Sequence, residues 1–91
     1  LGHTGCGAVK AAMGDFKKES PAIRHDLAPI VLPKSPEGLA PEAAWAFAVK
    51  ANVQHQVSRA VAKFHEEVAS GALTVVGAVY DLHSGKVTAF G

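Results

Sequence analysis

The chain has 91 residues, 48% of them hydrophobic and 19% charged, with a formal net charge of +1. This length suits one small domain, and the composition is that of a folded chain rather than a disordered tail. The nine Lys and Arg are scattered rather than gathered into the stripe of a nucleic-acid surface, no apolar run approaches the roughly 18 residues of a membrane span, and one cysteine, Cys6, forbids an intrachain disulfide.

Residues 1–7 place glycines at positions 2, 5 and 7 around His3 and Cys6. Leu1-Gly2-His3 reads as the exit of a strand whose body lies outside these residues. No signal-peptide pattern is visible, and a cytoplasmic location is expected. Imidazole nitrogen and thiolate sulfur both bind zinc, and a tight glycine-rich turn lets one loop present the two. Taken alone, H-x-x-C more often marks a structural cysteine beside a loop histidine.

A first helix is expected over about 8–14, with Gly14 as its stop. Ser20 and Pro21 then form an N-cap and a first helical residue, and Ile23, Leu27 and Ile30 follow at helical spacing, giving a helix over about 20–31. Pro33, Pro36, Gly38 and Pro41 mark a loop. From about 41 to 70, Trp45, Val49, Val53, Val57, Ala60, Val61, Phe64 and Val68 recur at three- and four-residue steps along one long helix, which a kink can divide. This stripe reads as core or dimer interface, and Gly71 ends it.

The period then changes. Leu73 to Tyr80 is nearly all apolar and rich in β-branched residues, as in a strand covered on both faces. Asp81-Leu82-His83-Ser84-Gly85 supplies a turn, and Lys86 to Phe90 returns, so a hairpin is expected over about 73–90. The class is α/β: a mostly parallel sheet flanked by helices. Two strands alone are marginal in water, so further strands are expected to complete the sheet. His25, His55, His65 and His83 are isolated and read as solvated surface, although any imidazole can carry protons near neutrality. Glu66-Glu67 and Lys17-Lys18 read as solvated charge.

Gly2-His3-Thr4-Gly5-Cys6-Gly7 followed by Ala8-Val9-Lys10-Ala11-Ala12 resembles the second zinc-ligand motif of β-class carbonic anhydrases, G-H-x-x-C-G at a strand end with a helix after it. Asn52-Val53 with Gln56-Val57 is similar to the N-V-x-x-Q-V of that family's long helix. Gly77-Ala78-Val79-Tyr80-Asp81, then Ser84-Gly85-Lys86-Val87, is similar to its late strand and hairpin. The three segments keep order and spacing across essentially the whole chain.

The resemblance implies that residues 1–91 form the C-terminal part of a β-carbonic-anhydrase domain whose N-terminal central strands are missing from this chain. It implies a zinc lyase in which zinc-held hydroxide converts carbon dioxide to bicarbonate. His3 and Cys6 would be two of three protein ligands to Zn2+, the Gly7 amide would help orient oxygens at the metal, and Tyr80 would correspond to a residue of an inhibitory bicarbonate pocket in some members. The other cysteine ligand and its aspartate–arginine pair lie upstream of Leu1 in the family pattern, so the isolated chain is expected to be inactive. Expected partners are carbon dioxide and bicarbonate, with either a homodimer or higher oligomer or a complementary N-terminal half; neither nucleic acid nor membrane is expected. The alternative is a non-catalytic zinc-binding or scaffold protein, in one version with two chains pooling His3 and Cys6 into a closed four-ligand site.

Overall fold

Residues 1–14 and 16–90 are described by a computed structural model. In chain order it contains β1 (Gly2–His3), α1 (Gly7–Met13), α2 (Pro21–Leu27), α3 (Pro41–Lys63), α4 (His65–Ala69), β2 (Gly77–Tyr80) and β3 (Val87–Phe90). The sheet order is β1-β2-β3. β1 and β2 run parallel, with Gly2 opposite Val79 and His3 opposite Tyr80. β2 and β3 run antiparallel, from Gly77 opposite Phe90 to Tyr80 opposite Val87.

α3 organises the molecule. Pro41 suits its first position because the fixed φ is already helical and no donor is lost. The apolar stripe then does what its spacing requires: Ala48, Val49 and Val53 are buried, with Trp45 and Val57 partly so. Two glycines let the sheet sit close to this stripe. A Cβ on Gly2 would lie 2.6 Å from Val53 Cγ2, and one on Gly77 would lie 3.0 Å from Val53 Cγ1. α1 packs on α3, and α2 on α1. Val9, Ala48 and Val49 form the core cluster, with Cys6, Leu32, Trp45 and Val79 packed against it.

Several sequence-based expectations change. The helix expected over 20–31 starts as read, with Ser20 Oγ accepting from the Ile23 N–H at 3.3 Å, but ends at Leu27. Pro29 ends it, because a proline there has no N–H to give and its ring would strike the carbonyl four residues back. The helix expected over 41–70 is broken at Phe64, whose φ of −109° and ψ of 35° separate α3 from α4. Phe64 is 41% exposed. The first helix spans Gly7–Met13 rather than 8–14, with Gly14 already extended.

The strand expected from Leu73 pairs only from Gly77, since β1 offers two residues and β3 four. The sheet therefore has one parallel and one antiparallel pair rather than being mostly parallel. Among the described residues it is not covered on both faces either. Gly2 and Gly77 face α3, and so does Phe90, whose Cε2 is 3.1 Å from the Cβ position of Gly77. By strand alternation the opposite face carries His3, Ala78, Tyr80, Val87 and Ala89, and α3 is the helix that packs on the strands.

The surface area reflects this. It is 6525 Å², against about 5,000 Å² for a compact monomer of this mass. The radius of gyration is 14.6 Å, where a compact chain of this length has about 12 Å.

Candidate metal centre

A single tight turn carries both expected ligands. His3 closes β1, Thr4 and Gly5 turn the chain, and Cys6 is the N-cap of α1. Gly5 has φ +66°, the left-handed region that costs glycine nothing, and Trp45 Cη2 lies 4.0 Å from where a side chain would begin. Two tertiary anchors pin the turn. The Thr4 N–H donates to the Tyr80 carbonyl at 2.9 Å, and Thr4 Oγ1 accepts from the Leu82 N–H at 3.0 Å. On the other side, the Cys6 carbonyl accepts from Trp45 Nε1 at 3.0 Å as well as from the Lys10 N–H at 3.1 Å. Lys10 Nζ lies 5.0 Å from the Trp45 ring centroid, a cation–π contact that steadies the same indole.

The His3 side chain is exposed, with Nδ1 2.8 Å from the Thr4 carbonyl oxygen. A carbonyl only accepts, so Nδ1 carries the hydrogen and Nε2 is the nitrogen left for a metal. Cys6 is a free thiol, half-buried against the core cluster, and its side chain makes no capping hydrogen bond. One imidazole and one sulfur suit zinc by type. They do not complete a site: among the described residues no group of three or more His, Cys, Asp or Glu is placed to hold a metal ion. Two donors fall short of the three protein ligands that a catalytic zinc normally has.

Gly7 is the first residue of α1, so its N–H has no intrahelical acceptor. A Cβ there would meet nothing within 4 Å. Tyr80 pairs with His3 in register, and the two share a shallow depression of about 310 Å³ with Leu1 and Leu82. Cys6 is not among its walls. A cleft of about 350 Å³ lies beside the turn, lined by Thr4, Gly5, Trp45 and Val79 with Glu42 and His83. His25 and His65 are exposed and His55 is half-buried.

Past β2, the carboxylate of Asp81 accepts from the backbone N–H groups of His83 at 2.8 Å and Ser84 at 3.3 Å. These bonds, with a smaller contribution from the His83 charge, hold the Asp81 carboxyl below its usual range. Thr4 and Trp45 are the positioning residues that sequence reasoning missed. Thr4 stood only as a spacer in H-x-x-C and Trp45 only as part of an apolar stripe. The one available signal was the indole N–H, a donor that seeks an acceptor when partly buried.

A family model described as carbonic anhydrase matches residues 1–87. The chain belongs to the β-class carbonic anhydrase family. The match takes in the H-x-x-C turn, every helix and the whole of β2. No curated protein matches the chain. Carbonic anhydrases are lyases acting on carbon dioxide and bicarbonate, and the family is generally zinc-dependent. No helix among the described residues is long and apolar enough to cross a membrane.

Proposed function

We propose that the chain contributes half of a carbonic anhydrase zinc centre, with His3 through Nε2 and Cys6 through Sγ as two of three protein ligands. The single observation that carries this reading is the turn between them. It holds one imidazole and one thiol on four consecutive residues within a carbonic anhydrase domain, and its backbone is tied to Tyr80, Leu82 and Trp45. Zinc, when bound, supplies a Lewis acid that brings the pKa of water on it to about 7, making hydroxide available to carbon dioxide at neutral pH.

The chain's own residues orient and exclude. The Thr4 carbonyl fixes the His3 ring and its tautomer, as an outer partner of a metal-bound histidine does. Trp45 holds the Cys6 carbonyl, and the apolar cluster covers one side of the sulfur. The Gly7 N–H, first in α1 and without an intrahelical acceptor, is a donor for the oxygens of bicarbonate. Cys6 is the only cysteine of the sequence. With no third protein ligand placed beside His3 and Cys6 among the described residues, the isolated chain does not hydrate carbon dioxide.

The test is metal titration beside stopped-flow assay. The wild-type chain should bind Co2+ with thiolate-to-metal absorption. Cys6→Ser should abolish that band, and His3→Ala should weaken binding at least about tenfold, as expected for removal of a ligand. Turnover well above buffer by the chain alone would defeat the inactivity claim. Binding unaffected by either substitution would defeat the ligand assignment. The absence of a third ligand among the described residues also keeps a second reading open. Two chains would share one zinc through two His3 and two Cys6, a closed structural site. One metal per two chains, with the Cys6 band intact, would favour it.

A further inference from the structure

Asp81 lies between two peptide groups, and each of them is hydrogen-bonded at both ends. In the group joining Tyr80 to Asp81, the carbonyl accepts from the Thr4 N–H at 2.9 Å and the N–H donates to the Lys86 carbonyl at 2.8 Å. In the group joining Asp81 to Leu82, the carbonyl accepts from the Gly85 N–H at 2.8 Å and the N–H donates to Thr4 Oγ1 at 3.0 Å. A peptide group is planar and stiff, so a bond that orients one end orients the other. Thr4 is thus gripped by the same two planes that the turn between β2 and β3 grips, and only the φ and ψ of Asp81 separate those planes.

The Asp81 side chain closes the system. Its Oδ1 accepts from the N–H groups of His83 at 2.8 Å and Ser84 at 3.3 Å, and Ser84 Oγ accepts in turn from the Lys86 N–H at 3.2 Å. On the far side of Thr4, its carbonyl oxygen lies 2.8 Å from His3 Nδ1. We propose that Asp81 is a positioning residue for the His3–Cys6 turn: by closing the turn after β2, its carboxylate sets the two peptide planes that hold Thr4 and, through the Thr4 carbonyl, the His3 ring. An aspartate that merely caps a turn holds its own neighbours. Here both peptide groups of the aspartate are engaged by a residue at the other end of the chain, one that stands between the two metal-binding side chains. The tie exists without metal; its consequence for metal binding rests on the zinc reading of His3 and Cys6.

Amide hydrogen exchange and imidazole nitrogen shifts of the metal-free chain test it. In Asp81→Ala the Thr4 and Leu82 amides should exchange about tenfold faster or more, while those of Val49 and Val53 in α3 change less. At mildly alkaline pH the His3 ring should move from the Nδ1–H tautomer toward a mixture. Asp81→Asn, which keeps an acceptor, should restore both. Circular dichroism checks folding, and Asp81→Ser, a weaker acceptor of the same N–H groups, serves if the alanine variant is not folded. Co2+ titration of the same variants reads the consequence at the metal, where Asp81→Ala should bind about 3- to 30-fold more weakly. Thr4 and Leu82 amides that stay protected once those of His83 and Ser84 are freed overturn the proposal, as does an equal loss of protection in α3. Unchanged Co2+ binding by Asp81→Ala, beside a wild type that binds, overturns it too. A wild-type chain without a thiolate-to-Co2+ band defeats the zinc reading alone, because the exchange results are obtained without metal.

Discussion

Single residues set the two ends of β2. At its exit, the Asp81 carboxylate ties the turn by taking the N–H groups of His83 and Ser84, while the Asp81 N–H donates to the Lys86 carbonyl at 2.8 Å. Gly85, at φ +71°, supplies the left-handed residue the turn needs. Because folding lowers the Asp81 carboxyl from its ordinary value of 3.8, the turn is favoured fully above that value. The contribution is lost as pH falls through the lowered one. The amide resonances of His83 and Ser84, followed by NMR from neutral pH into acid, should therefore shift together below the ordinary carboxylate range. Asp81→Asn keeps an acceptor and should flatten that dependence, whereas Asp81→Ala should loosen the turn at every pH. The Asp81 turn was readable from the residues alone. The role of Thr4 was not, because its partners, Tyr80 and Leu82, are distant in sequence and meet it only after β1 has paired with β2.

Among the elements, the contact of α3 with the sheet decides where the His3–Cys6 turn sits. It depends on missing side chains. Gly2 precedes His3 directly, and a methyl group there would strike Val53 Cγ2 and crowd Val49 Cγ1 at 3.2 Å. Both valines are buried and, being β-branched on a helix, have little rotamer freedom with which to yield. Gly2→Ala should thus cost about 1–3 kcal/mol of stability by overpacking, read by urea denaturation. Val53→Ala in the same chain should restore part of it; no rescue would show that the strain lies elsewhere. The periodicity of α3 foretold its buried face as far as Val57. It did not foretell the break at Phe64, since the pattern continues to Val68.

For the whole molecule, the balance of core to surface governs behaviour. Among the described residues the buried hydrophobic ones are Val9, Leu27, Ala48, Val49 and Val53, a small core for a chain of this length. Stability is accordingly marginal. If two copies associate, unfolding is linked to dissociation. The apparent Tm should then rise by a few degrees for each tenfold increase in concentration, as mass action on a domain of this size requires. Differential scanning calorimetry at several concentrations checks this, and a Tm independent of concentration would count against the linkage. The same exposed face explains why an apolar Leu73-to-Tyr80 run suggested burial on both sides. Composition reports what a strand is suited to contact, whereas the covering layer is a property of the assembly.

Local chemistry alone determined the helix stripe, the Ser20–Pro21 start, the Asp81–Gly85 turn and the H-x-x-C loop with its glycines. Each depends on spacing or backbone dihedrals over a few residues, and such preferences are written residue by residue. Tertiary structure alone decided how long β2 is, which face of the sheet stays open, where α3 stops, and that Thr4 and Trp45 hold the His3–Cys6 turn from opposite sides. Those outcomes depend on which distant segments meet, and a donor such as the Trp45 indole finds the Cys6 carbonyl only when two helices far apart in the chain have packed together.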